Sequence, residues 1–112
     1  MINYHNKRFK VLESSENSEV GNGLIFHYTQ QKNILQCSYS SDSIIQGHLI
    51  GIVDDEGRID MRYHQINNLN LLMTGQCQST PEFNGCGKII LHEKWAWTSG
   101  DKSHGTSTLI EI

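Results

Sequence analysis

Residues 88–98 read KIILHEKWAWT. Side chains of an extended chain point alternately to opposite faces. The segment therefore splits into Ile89, Leu91, Glu93, Trp95 and Trp97 on one face and Lys88, Ile90, His92, Lys94 and Ala96 on the other. The first face is bulky and apolar around one carboxylate; the second carries the cations. A strand with one face in a core and one in water has this pattern.

The segments on either side repeat it. Residues 58–66 give Ile59, Met61, Tyr63 and Gln65 against Asp60, Arg62, His64 and Ile66, and residues 71–80 give Leu71, Met73, Gly75, Cys77 and Ser79 against Leu72, Thr74, Gln76 and Gln78. Further β-branched or aromatic runs lie at 9–12, 24–30, 34–39, 44–53 and 105–112. Phe26 and Tyr28 share a face, as do Leu35, Cys37 and Tyr39; in the run 44–53, apolar on both sides, Ile45, Gly47, Leu49 and Gly51 are assigned inward. The connections at 31–33, 40–43, 54–57, 67–68, 82–87 and 99–102 are short and rich in turn residues. Connections this short join antiparallel neighbours, because a parallel crossover needs a dozen residues or more. The sequence thus predicts an all-β fold, an up-and-down antiparallel meander of about eight strands. Closing it into a barrel removes two exposed edges, with a two-sheet sandwich as the alternative. No segment shows a sustained helical period with a cap.

At 112 residues the chain makes one domain, 1–112. Its formal net charge is −3 with Lys and Arg scattered, so it lacks a basic stripe for nucleic acid or a polybasic run for a membrane. The longest apolar stretch, 49–53, is too short to cross a bilayer, and the first ten residues have no signal-peptide core. A cytoplasmic protein with three reduced cysteines, Cys37, Cys77 and Cys86, is expected. The Ser/Glu/Asn-rich stretch 13–18 reads as an exposed loop, and Gly21-Asn22-Gly23 as a turn.

The alternation aims an unusual set of side chains inward. Phe26, Leu35, Leu49, Met61, Met73 and Leu91 form an ordinary core layer. A second layer brings together Tyr28, Tyr39, Tyr63, Gln65, Cys77, Ser79, Glu93, Trp95 and Trp97. Small residues at 75, 77 and 79 leave room beside large rings, and apolar walls with a few converging polar groups are the usual make-up of a small-molecule pocket. Glu93 decides the reading, since a buried carboxylate costs several kcal/mol unless it is paired or hydrogen-bonded. It either serves a ligand, joins a structural hydrogen-bond network, or turns outward at a bulge to meet Lys94 or Arg62. Trp95 and Trp97 have core packing as their own alternative.

No cofactor or metal site is expected: none of the six histidines forms HxH or HxxxH spacing, and His48 would face inward only if its strand's phase were reversed. A nucleophile could be assembled from Cys77 or Ser79 with a histidine and Glu93, but no nucleophile elbow marks one. The functional expectation is a non-catalytic barrel holding an unidentified small molecule. The alternatives are a small enzyme using Glu93 beside Tyr63, or a packed structural barrel that oligomerises through Ile44, Ile50, Ile52 and Ile90.

Three strings carry a resemblance: GHLIGIVDDEGRIDMRYHQIN at 47–67, MTGQCQSTPE at 73–82 and LHEKWAWTSGDKSHGTS at 91–107. The chain resembles a family of short bacterial β-barrels of avidin or calycin (lipocalin-like) type, whose members often carry the label N-acetylglutamate synthase. The resemblance implies the barrel and its interior site. An acyl-CoA-dependent acetyltransferase of the usual kind cradles pyrophosphate on a Gln/Arg-x-x-Gly-x-Gly/Ala loop leading into a helix. The nearest match here, residues 18–23, begins with Ser18 and runs into a strand pattern. The expected activity is therefore binding, not acetyl transfer.

Overall fold

The computed structural model describes residues 2–19 and 23–112; most of the turn expected at 21–23 lies outside them. The chain forms β1 (Arg8–Ser14), β2 (Ile25–His27), β3 (Thr29–Gln31), β4 (Ile34–Tyr39), β5 (Ile44–Val53), β6 (Ile59–Asn67), β7 (Leu72–Phe83), β8 (Ile89–Trp97) and β9 (His104–Glu111), with no helix among the described residues. All pairings are antiparallel, and the sheet runs β2-β1-β9-β8-β7-β6-β5-β4-β3. Its two edge strands are consecutive in sequence with only Tyr28 between them. They are two halves of one run that pairs with β1 through Phe26↔Phe9 and then with β4 through Gln30↔Leu35. The sheet is nearly closed into a barrel, and the expected meander of about eight strands is nine because that run breaks at Tyr28.

Turn chemistry sets the hairpins. In 54–57, 67–70 and 84–87 the first residue's carbonyl accepts the N–H of the fourth. The side chains of Asp54, Asn67 and Asn84 each accept two further backbone N–H groups at 2.9–3.0 Å. The fourth residues, Gly57, Asn70 and Gly87, have φ of 83°, 63° and 78°. This is a turn closed by one left-handed residue, which favours Gly and Asn.

One end of the barrel is sealed from within. Tyr4 is fully buried, donates from its hydroxyl to the Gly57 carbonyl at 2.5 Å, and clusters with Phe9 and Tyr28 at ring separations of 5.2–6.3 Å. Ile2 packs onto Gly57. The apolar core (Leu24, Leu35, Ile59, Ile89, Leu91 and Leu109 among others) fills the interior beside this plug.

Three expected placements are corrected. A bulge shifts the β5–β6 register between Ile44 and Gln46, so Ile44 is buried at 0% exposure while Ile45 faces solvent at 58%. Ile45 is thus outward and Ile44 cannot serve an outer interface; one inserted residue reverses the alternation. Leu71 is exposed, because the Asn67 side chain holds residues 67–71 in a turn beyond the barrel rim before β7 begins. β7 also continues through Pro81 to Phe83, where a connection was expected. β6 has no partner beyond Ser79, so proline's missing N–H breaks no ladder bond on that side.

Gly57 combines a left-handed φ with contact against Ile2 at the plug, whereas a Cβ on Gly85 would meet nothing within 4 Å. Gly57→Ala should therefore lower stability in urea unfolding by at least about 1–2 kcal/mol, and Gly85→Ala should stay within about 0.5 kcal/mol.

Candidate functional site

The alternation of β6, β7 and β8 runs unbroken through their inward positions, and at the end opposite the Tyr4 plug it leaves a cavity of about 50 Å³. Cross-strand pairs make the room. Tyr39, Tyr63 and Trp95 each lie directly opposite a glycine, Gly47, Gly75 and Gly105 respectively, and each ring covers the site that a glycine Cβ would occupy. Rings laid over glycines widen the interior without leaving those glycines bare.

The structure brings the nine residues singled out in the sequence together. Tyr28, Tyr39, Tyr63, Gln65, Cys77, Glu93, Trp95 and Trp97 line the cavity. Ser79 is placed behind Glu93 instead, buried, with its hydroxyl donating to Glu93 Oε2 at 2.6 Å. Glu93 turns inward, half-buried, and lines the cavity. His48 faces outward beside His64, ring to ring at 5.5 Å, so the strand phase is not reversed there. No group of three or more potential metal ligands occurs among the described residues.

Sequence reasoning missed the mouth. Residues 15–19 cross it as a strap: Glu19 accepts from Gln65 Nε2 and Asn67 Nδ2, each at 2.8 Å, and the Asn17 carbonyl accepts from Trp97 Nε1 at 3.3 Å. Asn17 is held in turn by Ser103 Oγ and the His104 carbonyl at 3.1 and 3.0 Å. Tyr39 donates to Gln65 Oε1 at 2.8 Å, so a continuous chain runs Tyr39–Gln65–Glu19–Asn67. Ser107 accepts from Trp95 Nε1 at 3.0 Å and meets Ser14 Oγ at 2.8 Å. The Ser/Glu/Asn-rich composition marked this segment as a loop; only its approach to Gln65 and Asn67 in space shows that it covers the interior.

Burial pushes the Glu93 carboxyl up to about 7, against the opposing hydrogen bonds from the Ser79 hydroxyl and the Cys77 thiol. Burial likewise holds the Tyr28, Tyr39 and Tyr63 hydroxyls well above the ordinary tyrosine range, with Glu93 adding to the shift at Tyr28 and Tyr63. All three stay protonated and can donate or accept. The Cys77 thiol is raised too, first by burial and then by Glu93, so it is a weak nucleophile.

A model of the avidin-like protein family matches residues 2–112. The chain belongs to the avidin-like family. No curated protein and no solved structure matches it. Neither the match nor the helix-free fold supports the N-acetylglutamate synthase label. In this avidin-like chain the cavity lies between the Tyr4 plug and the strap.

The raised Glu93 carboxyl has a signature in stability. Between pH 4.5, its ordinary value, and about 7, its folded value, the folded protein keeps a proton that the unfolded chain has released. Stability contributed by this group therefore falls as pH rises through that window. Glu93→Gln, which can still accept from Ser79, should match the wild type near pH 4. It should gain up to about 3 kcal/mol over the wild type by pH 8 in denaturant titrations at a series of pH values.

Proposed function

We propose that the protein binds a small molecule inside its barrel and performs no chemistry on it. The observation that carries this reading is a carboxylate held at an energetic cost on a cavity whose walls are mostly aromatic and aliphatic, with Trp95, Trp97, Tyr63, Phe26, Leu49 and Met61 among them. A barrel packed only for stability would fill such a space. Membership of the avidin-like family supports the same reading. The aromatics supply area and shape, Gln65 and Tyr39 fix the rim, and the strap at 15–19 limits access. Native mass spectrometry of the purified protein should show a retained small molecule that is lost on denaturation. Glu93→Gln should shift its retention; unchanged retention would remove Glu93 from the site.

A second reading concerns assembly, and a surface observation favours it. Ile34 and Ile52 are cross-strand neighbours on the outer face, Ile50 lies beside them, and all three are exposed. A contiguous apolar patch of this kind marks an interaction surface, and we assign it to association with a second copy of the chain, inside the cell. Solution mass should exceed that of one chain, and Ile50→Lys should reduce it to the monomer value.

A further inference from the structure

The chemical class of the ligand follows from which hydrogen-bonding groups the cavity has already used, given the interior-binding reading above. Both indole donors of the lining and one N–H of the Gln65 amide are engaged. Trp95 Nε1 is bound to Ser107, Trp97 Nε1 to the Asn17 carbonyl, Gln65 Nε2 to Glu19, and the Ser79 hydroxyl behind the lining to Glu93. The acceptors are not used up. Glu93 accepts from the Ser79 hydroxyl at Oε2 and from the Cys77 thiol, which leaves part of its acceptor capacity unused, and neither Glu93 nor Glu19 forms an ion pair among the described residues.

Tyr28 adds an independent observation. It is 1% exposed and its hydroxyl has no hydrogen-bond partner among the described residues. No fully buried side-chain polar atom there lacks a partner, so this hydroxyl opens onto the cavity that Tyr28 lines. The hydroxyl of the half-buried Tyr63 also has no hydrogen-bond partner among the described residues. Two tyrosines and one carboxylate thus line a space that is also lined by two indoles. No Lys, Arg or His occurs among the described lining residues.

That arrangement discriminates by charge. A carboxylate or phosphate entering the cavity would meet Glu93 with no cation to offset it, and the phenol hydroxyls it could accept from would not cancel that repulsion. A group rich in N–H donors and positively charged would meet a carboxylate, two phenol oxygens as acceptors, and aromatic walls that attract cations. We propose that the barrel interior is a site for a small organic ammonium ion, its N–H groups directed at Glu93 and the Tyr28 and Tyr63 hydroxyls and its carbon body against Trp95 and Trp97. The volume of about 50 Å³ holds more than one water but limits the enclosed part to a few heavy atoms, so a short alkylammonium fits and a large ring system does not.

The chain's only two tryptophans both line the cavity, so intrinsic fluorescence reports on this site. The test compares three probes of nearly one shape, n-butylammonium, 1-butanol and butyrate, titrated against the purified full chain and followed by tryptophan emission and melting temperature. The expected result is butylammonium bound at least tenfold more tightly than butanol, with no response to butyrate. In Glu93→Gln the cation should lose that tenfold advantage while butanol is unchanged; Tyr28→Phe, which leaves the carboxylate in place, should weaken the cation severalfold. Equal binding of the alcohol, or any preference for butyrate, overturns the ammonium assignment while leaving interior binding intact. Silence from all three probes also overturns it, and the retained-ligand measurement then decides separately whether the interior binds anything.

Discussion

The change of partner at Tyr28 is the constraint on which the barrel depends. An up-and-down meander has two open edges, and here both edges belong to the same run of chain, residues 25–31. Its first half completes the ladder of β1 and its second half that of β4, with the Tyr28 N–H donating to the Lys7 carbonyl at 2.9 Å where the switch occurs. Nearly closing the sheet this way leaves little edge for another chain to pair with. It also turns Tyr28 inward at the point where the Tyr4 plug ends and the cavity begins. One residue therefore serves the closure, the core and the site.

The room beyond Tyr28 comes from glycine rather than from a larger strand number. Eight strands enclose an interior that side chains can just fill. Placing Gly47, Gly75 and Gly105 opposite Tyr39, Tyr63 and Trp95 lets three large rings lie against the wall instead of standing across the space. The other half of the interior has no such pairs and is packed with Leu, Ile and Phe side chains. The hollow half is thus where glycines stand opposite aromatic rings, whereas Gly51 in the packed half stands opposite Leu35 and Met61.

Much of this was legible in the alternation. Residues 59–65 and 89–97 keep strict period two, and every inward assignment there from Ile59 to Gln65 and from Ile89 to Trp97 stands, as do the bounds 34–39 and 44–53. The family resemblance read from three strings is matched over nearly the whole chain. What was not legible depends on relations that periodicity does not encode. The bulge after Ile44 inverts two residues in a run apolar on both faces, where neither phase looks wrong. The strap was invisible because polar composition signals exposure, and Glu19 departs from that rule only through two amides that reach it from β6.

The position of Glu93 separates what folding needs from what it does not. Ser79 would donate as readily to an amide oxygen as to a carboxylate, so the hydrogen bond at 2.6 Å does not require a charge. A glutamine in the same place would satisfy it without the desolvation that pushes the carboxyl to about 7. The surrounding barrel offers no cation in return, and its other polar groups at the mouth are matched in closed chains. A local rule of good packing is therefore broken at Glu93, on the interior cavity, beside the unpartnered Tyr28 hydroxyl. Such an excess cost supports the proposal that Glu93 is positioned for a ligand.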